Sequence, residues 1–170
     1  MNIKLAAGLS LAVAVILGGL AGRACAAEPA PASELSQALG QAAVFAGLTG
    51  PERAALEVAA TVRHCTSGER LVERGRPLDR MFIMLDGQVE VRINGRLVAT
   101  YHGQTLLGEL EFLDRQPAAA DVVAVKETRL IEVNNAVLAE LMRKQPRIGY
   151  VLMGELAKIE AQRLRAMNLE

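Results

Sequence analysis

The sequence predicts a mostly β domain with helices at both ends. Between Glu69 and Val133, short runs of β-forming residues alternate with turn residues. In that region Asn94-Gly95 separates two such runs, and Asn-Gly is the preferred two-residue hairpin turn because both positions take a positive φ. Amphipathic helical patterns precede and follow the β region. Many short antiparallel strands at regular spacing indicate a sandwich or a jelly roll.

The first 26 residues have the pattern of a secretory signal peptide. Lys4 precedes an uncharged apolar run over residues 5–22, and Ala24-Cys25-Ala26 places small residues where a signal peptidase cleaves. The sequence therefore predicts a signal peptide over 1–26 and a periplasmic or secreted domain. The apolar run is close to the minimum for a spanning helix, so an uncleaved membrane anchor through 5–22, with the domain outside the cytoplasm, stays open.

Composition argues against a nucleic-acid partner. The chain has 19 basic and 19 acidic residues, and its aromatic residues are three Phe and two Tyr. Removal of residues 1–26 leaves a slightly acidic chain with neither a broad basic face nor a base-stacking platform. Cys65 is then the one remaining cysteine, which excludes an intrachain disulfide.

Two helices are predicted before the strands. A Pro/Ala tether over 27–32 leads into a domain predicted to span 33–170, and Ser33 is a suitable cap for the first helix. Pro51 suits the first turn of a second helix, which is predicted to run to about Gly68. The apolar residues assigned to these two helices are Leu35, Leu39, Ala42 and Ala43, then Leu56, Ala59, Ala60 and Val62.

The β region divides into six predicted strands. Gly and Asp-Gly or Asn-Gly pairs supply the turns between them. The predicted strands are Arg70–Val72, Met81–Leu85, Gln88–Ile93, Arg96–Tyr101, Ala119–Val125 and Arg129–Val133.

Two further helices are predicted after the strands. Asn134 or Asn135 caps a helix to Lys144 that turns Val137, Leu138, Leu141 and Met142 inward. Pro146 ends it, and a long helix follows over about 147–167. The long helix carries an apolar stripe that packs on its own barrel or pairs with a second copy: Ile148, Val151, Leu152, Leu156, Ile159 and Leu164.

The β region resembles a cyclic-nucleotide-binding domain. The resemblance rests on the spaced pattern Gly68-Glu69…Gly75…Asp79…Phe82…Gly87-x-Val89, on Gly108-Glu109-Leu110, and on Pro117-Ala118-Ala119-Ala120. It covers roughly residues 45–166. It implies the double-stranded β-helix (jelly roll) with a long C-terminal helix that is found in catabolite activator proteins and in regulatory subunits of cAMP-dependent kinase.

The resemblance implies a ligand site in the phosphate-binding cassette. In the family, backbone amides of this turn and of the short helix after it hold the cyclic phosphate, and the Glu binds the ribose hydroxyl. Gly108, Glu109, Leu110, Ala118 and Ala119 are therefore the candidate ligand-binding residues. Gly108 interrupts an apolar run, which permits close approach of a ligand or of another backbone segment.

The cassette departs from the family where the phosphate-clamping Arg is expected. Ala118 and Ala119 stand at those positions, and losing a planar guanidinium costs about 2–3 kcal/mol or more of phosphate affinity. Acidic residues also gather there, namely Glu109, Glu111, Asp114 and Asp121. We therefore expect a stand-alone sensory or regulatory module with altered or weakened binding of a cyclic nucleotide, or with another small ligand. The alternative is a degenerate domain that acts through protein contacts, including a homodimer through helix 147–167.

Neither an enzyme nor a metal protein is expected. His64 and Cys65 are adjacent, but further ligands for a metal are not evident. On a strand Glu109 and Glu111 would share a face, yet no nucleophile accompanies them. The serines beyond residue 26, Ser33, Ser36 and Ser67, fall in no nucleophile-elbow pattern. No catalytic residue, metal ligand or required cofactor is predicted, and no helix-turn-helix is expected after the long helix.

Overall fold

Two four-stranded antiparallel sheets form the centre of the domain. The computed structural model describes residues 33–167. One sheet has the strand order β1-β8-β3-β6 and the other has β2-β7-β4-β5. The strands are β1 Ala60–Cys65, β2 Arg70–Val72, β3 Arg80–Asp86, β4 Gln88–Ile93, β5 Arg96–His102, β6 Thr105–Leu107, β7 Asp121–Ala124 and β8 Thr128–Asn134. The predicted signal peptide, anchor and tether lie outside the described residues.

Five α-helices surround the sheets in the described part of the chain. They are α1 Glu34–Gln41, α2 Gly50–Ala55, α3 Glu109–Asp114, α4 Asn135–Lys144 and α5 Pro146–Met167. Short 3-10 turns lie over Ala43–Phe45 and Leu56–Val58. None of the helices between residues 33 and 167 has the length and apolarity needed to cross a membrane.

The β4–β5 hairpin confirms the strongest local prediction. Ile93 pairs with Arg96, and Asn94 and Gly95 between them take φ values of 52° and 77°. Asn tolerates this left-handed backbone and Gly adopts it without a steric penalty. The turn residues therefore determine the register of the hairpin.

The caps of the helices also agree with the sequence. Ser33 Oγ accepts a hydrogen bond from Ser36 N at 3.1 Å, and Asn134 Oδ1 accepts one from Val137 N at 3.0 Å. In α2, Pro51 lies in the first turn as predicted, and Thr49 and Glu52 form a capping box that was not predicted. These contacts satisfy amide groups that a helix start leaves unpaired.

The second predicted helix is wrong beyond Val58. The helix was expected to run to about Gly68, but Ala60–Cys65 is strand β1, paired residue for residue with β8 from Ala60–Val133 to Cys65–Thr128. The apolar spacing up to Val62 fits a helix, and only the pairing with a distant strand decides against it. Strand β6 is not among the predicted strands, and its pairing with β3 places it in the sheet.

Strand β3 separates two hydrophobic cores. Met81, Ile83 and Leu85 face the helices, whereas Phe82 and Met84 face the space between the two sheets. Successive side chains of a strand point to opposite faces, so an uninterrupted apolar run is expected where both faces are buried.

The apolar stripe of α5 packs on its own domain. Ile148, Leu152 and Leu156 are buried in the core beneath the helices, and Val151 and Ile159 pack against it. Two residues assigned inward are exceptions, because Leu164 is 59% exposed and Val137 is 38% exposed. The predicted alternatives for this stripe were packing on its own barrel and pairing with a second copy. Its buried residues pack on their own barrel.

Candidate functional site

The cassette begins where β6 ends and turns into α3. Gly108 takes φ 77° and is the N-cap of α3. A Cβ at this position would lie 2.8 Å from Leu78 Cδ2 and 3.1 Å from the carbonyl oxygen of Arg80. Glycine is therefore required here for two reasons. The backbone has a positive φ, and Leu78 and Arg80 leave no room for a Cβ.

Glu109 and Glu111 lie on helix α3, and not on a strand where they would share a face. Glu109 is buried, with 4% exposure, while Leu110 is 43% exposed. Of the predicted site residues at the start of the cassette, only Glu109 therefore places its side chain inside the domain.

The buried carboxylate of Glu109 is paired with Arg163 from helix α5. Arg163 Nη1 donates a hydrogen bond to Glu109 Oε1. Burial raises the pKa of Glu109 to about 7, and the Arg163 charge acts in the opposite direction. The exposed fractions of the two side chains are 23% for Arg163 and 5% for Glu109, so the pair is largely removed from solvent.

Four other groups surround the same guanidinium. Arg163 Nη2 lies 2.6 Å from the carbonyl oxygen of Leu106 and 3.4 Å from Thr105 Oγ1. Nη1 lies 2.9 Å from Glu160 Oε1 on the same helix. The ring of Tyr101 completes the surroundings, with its centroid 5.4 Å from Arg163 Cζ, within the range of a cation–π contact.

Arg163 is the site residue that the sequence prediction missed. It follows Leu152, Leu156 and Ile159 at helical spacing, so it continues the buried face of α5. A cation at the next position of an apolar face is the signal that indicates a buried acidic partner.

The end of the cassette places Ala118 in the core between the sheets. Ala118 is 3% exposed, its N–H donates to the Arg76 carbonyl at 2.9 Å, and its carbonyl accepts from Gly75 N at 2.7 Å. The methyl group therefore contributes packing and no charge.

Ala119 presents its backbone rather than its side chain. Its N–H donates to Glu111 Oε1 at 3.1 Å, and its carbonyl accepts from Arg74 Nε at 3.1 Å. A cassette amide that an anion could use is thus already bonded to a carboxylate of the same chain. The cation of Arg74 is bonded to this carbonyl and to Asn94 Oδ1.

Two clefts lie beside the cassette. One, of about 500 Å³, lies between α3 and α4 and is lined by Leu78, Phe112, Arg115 and Ala139 among others. The second, of about 300 Å³, lies against Thr105, Ile159, Gln162 and Arg163. The second cleft reaches Arg163, the partner of Glu109.

The other candidate residues have structural surroundings. His64 Nε2 lies 3.0 Å from Glu34 Oε1, whereas Cys65 is buried, and burial raises the pKa of its thiol. Over residues 33–167 no group of three or more His, Cys, Asp or Glu residues is arranged to hold a metal ion. Ser33 caps α1, and Ser67 Oγ donates to the Val125 carbonyl at 2.9 Å.

Comparison with curated proteins finds relatives that are much longer than this chain. Glutaminase 2 of Bradyrhizobium diazoefficiens is 33% identical over 131 residues, which are 76% of this chain and 21% of that protein. The Pycsar effector protein XpPycTIR of Xanthomonas perforans is 31% identical over 98 residues, 57% of this chain and 32% of the effector. The chain spans about a fifth to a third of these relatives.

Solved structures share the fold. A putative cyclic nucleotide-binding protein from Geobacter metallireducens aligns with a TM-score of 0.68 and 20% identity, covering 78% of this chain and 99% of that one. The catabolite activator protein of Thermus thermophilus aligns with a TM-score of 0.61 and 26% identity, covering 74% of this chain and 60% of that one. These matches confirm the predicted jelly roll with its flanking helices.

The family model of the cyclic nucleotide-binding domain matches residues 62–145. This match spans the strands from β1 to β8 with the cassette between them, and continues through α4. Together with the shared fold, it shows that the chain belongs to the cyclic nucleotide-binding domain family.

Proposed function

We propose that this chain is an exported regulatory module in which the binding of cyclic nucleotides is weakened or altered. It acts by binding a small molecule and not by catalysis. The observation that carries the proposal is the state of Glu109, whose carboxylate is bonded to Arg163 of its own chain. A ligand hydroxyl that takes the place of Arg163 at Glu109 Oε1 must displace a charge-assisted bond, which is about twice as strong as a neutral one.

The end of the cassette supports weakened phosphate binding. Ala118 supplies no charge where the family resemblance expects a guanidinium, and the Ala119 amide is bonded to Glu111. Placing a phosphate there would bring its negative charge close to a carboxylate. Relatives and neighbours that carry the fold include a cGMP-dependent protein kinase of Caenorhabditis elegans and a cAMP-bound PfPKA-R, so cAMP and cGMP are the ligands to test first.

Calorimetric titration with cAMP and cGMP tests the proposal. We expect the unmodified protein to bind either nucleotide weakly, and Ala118→Arg to tighten binding about tenfold to a hundredfold. Val58→Arg is the control, because it adds the same charge at a position that is 71% exposed and lies outside the cassette. Tight binding by the unmodified protein, with no gain in Ala118→Arg, would contradict the proposal.

Export is part of the same proposal and has its own test. The small residues Ala24 and Ala26 support cleavage after Ala26. N-terminal sequencing of the protein recovered from a secreting host is expected to begin at Ala27. Recovery of the intact N-terminus in the membrane fraction would favour the anchor through 5–22 instead, and recovery in the cytoplasm would exclude both.

A second candidate function is a protein-contact module, which one face of α5 favours. Four large apolar side chains on this face are exposed: Tyr150 (82%), Met153 (40%), Leu164 (59%) and Met167 (72%). They leave apolar side chains on the outside of a helix whose other face is buried. We propose a homodimer through this face, which sedimentation equilibrium tests with Tyr150→Lys as the disrupting variant. A monomer at all concentrations would remove this candidate.

A further inference from the structure

The guanidinium of Arg163 lies among acceptor groups contributed by three different elements. The carboxylate of Glu109 comes from α3, the Leu106 carbonyl and the Thr105 hydroxyl come from β6, and the Glu160 carboxylate comes from α5. The Tyr101 ring of β5 lies at cation–π distance. Glu109, at 4% exposure, makes this a site with a buried charged side chain.

The arrangement suits a guanidinium better than an ammonium ion. Nη1 donates to two carboxylates, and Nη2 donates to a carbonyl and a hydroxyl. A planar guanidinium carries its donors in these several directions, whereas an ammonium ion is a compact point charge. A guanidinium also stacks over an aromatic ring, as Arg163 does over Tyr101.

The charges of the cassette favour a cation over an anion. Glu109, Glu111 and Asp114 lie on α3, and Ala118 provides no positive charge opposite them. The Ala119 amide, a donor that an anion would need, is bonded to Glu111. A ligand that takes the place of the Arg163 guanidinium therefore meets the carboxylates of Glu109 and Glu160, the Leu106 carbonyl and the Thr105 hydroxyl.

The end of α5 makes few contacts besides this one. After Glu160, every described residue of the helix except Arg163 is exposed. A cleft of about 300 Å³ lies against Thr105, Gln162 and Arg163. Removing the Arg163 side chain from its site therefore disturbs little packing, and the site is accessible from one side.

We propose that Glu109, Glu160, the Leu106 carbonyl and Tyr101 form a guanidinium-binding site that Arg163 occupies from within the chain and that a small guanidinium-bearing ligand enters in its place. The inference depends on the proposed ligand-binding role of the cassette and names the chemical class of its ligand. Because Arg163 is tethered, its effective concentration is of millimolar order or higher, so an added ligand competes poorly in the unmodified protein.

The test uses the full chain as it is purified, with methylguanidinium chloride as the probe. In Arg163→Ala we expect a lowered Tm that methylguanidinium restores in a saturable way at up to about 20 mM, far below denaturing concentrations. Binding measured by calorimetry should be at least about tenfold tighter in Arg163→Ala than in the unmodified protein. Equal concentrations of sodium chloride and of tetramethylammonium chloride are the controls for ionic strength and for a cation without donors.

Two further variants make the result specific. Arg165→Ala removes an exposed arginine two positions away on the same helix and should show neither the loss nor the rescue. Arg163→Ala combined with Glu109→Gln should lose the rescue, because the buried charge is gone. If Arg163→Ala does not fold, Arg163→Met keeps the apolar stem of the side chain and replaces it in the test.

The proposal is overturned if methylguanidinium gives no saturable response in the Arg163 variant, or if the response persists when Glu109 is replaced. The cAMP titration of the unmodified protein is independent of this result. Tight cAMP binding with a positive guanidinium rescue would reject the proposed function but retain the cation site. Weak cAMP binding with no guanidinium rescue would retain the proposed function but reject the cation site.

Discussion

Arg163 Nη2 lies 2.6 Å from the carbonyl oxygen of Leu106, which connects the end of α5 to the strand that leads into the cassette. The same guanidinium is bonded to Glu109 on the helix that follows. One side chain thereby joins α5 to two consecutive elements, β6 and α3, whose bonded residues lie 57 and 54 residues before it in the sequence. Several consequences of this contact are measurable.

Breaking the buried pair should destabilise the protein. In Arg163→Met the carboxylate of Glu109 keeps its burial but loses its cationic partner, and removal of one member of a buried pair costs about 3 kcal/mol or more. Urea unfolding at pH 8 measures the loss. Combining Arg163→Met with Glu109→Gln should recover part of the free energy of unfolding, and Arg165→Met is the control. A loss as large in Arg165→Met as in Arg163→Met would show that the pair is not its origin.

The stability should fall as the pH rises toward neutrality because of Glu109. Its folded-state pKa is raised from 4.5 to about 7 by burial, so the folded state binds a proton that the unfolded state has released. The contribution of the protonated Glu109 to the free energy of unfolding is complete below pH 4.5 and is lost as the pH rises through about 7. The charged groups that face this carboxyl are Arg163 and Glu160 of α5.

Unfolding measured between pH 4 and pH 8 in unmodified protein and in Glu109→Gln tests this dependence. The difference between their free energies of unfolding should change across that interval in the stated direction. A constant difference would show that Glu109 titrates at the same pH in both states.

Glu52 should produce the opposite dependence at acid pH. Hydrogen bonds from Arg147 and from Thr49 lower the pKa of Glu52 from 4.5 to about 2. The folded state thus holds the carboxylate charged, and its contribution is present above pH 4.5 and is lost as the pH falls toward about 2. Glu52→Gln should reduce the acid-induced loss of stability, whereas Glu57→Gln in the neighbouring turn should not. Equal effects of the two substitutions would contradict the assignment.

Two glycines distinguish backbone strain from steric contact. Gly87 takes φ 119°, and a Cβ there would lie 2.4 Å from Thr128 Oγ1 and 2.6 Å from Thr128 Cα. Gly95 takes φ 77°, and nothing lies within 4 Å of its added Cβ. Gly95→Ala should cost about 1–2 kcal/mol from conformation alone, whereas Gly87→Ala should cost more because the β8 backbone must also move. Thermal unfolding measures both, and equal shifts in Tm would exclude the steric contribution.

The sequence predicts those parts of this domain that neighbouring residues determine. Asn94-Gly95 defines its hairpin, and Ser33 and Asn134 define helix starts, because each contact lies within a few residues. Strand β1 could not be predicted in this way, since its spacing up to Val62 fits a helix and its partner is β8 near the other end of the sheet region.

The same distinction between local and long-range contacts applies to the residues of the candidate site. Glu109 is found from the motif that contains it, but its partner lies 54 residues away on another element. Ala118 is found by comparison with the family pattern, whereas the bond between Glu111 and the Ala119 amide depends on the turn that ends α3. Pairings of this kind require the folded chain.

Strand β3 has a kinetic consequence, because its two faces belong to different cores. Neither the helical layer nor the space between the sheets can open to water without exposing one side of this strand. The amide hydrogens of Phe82, Ile83 and Met84 should therefore exchange with deuterium only through global unfolding. The two cores should then lose their protection in a single cooperative step, although they share no side chain.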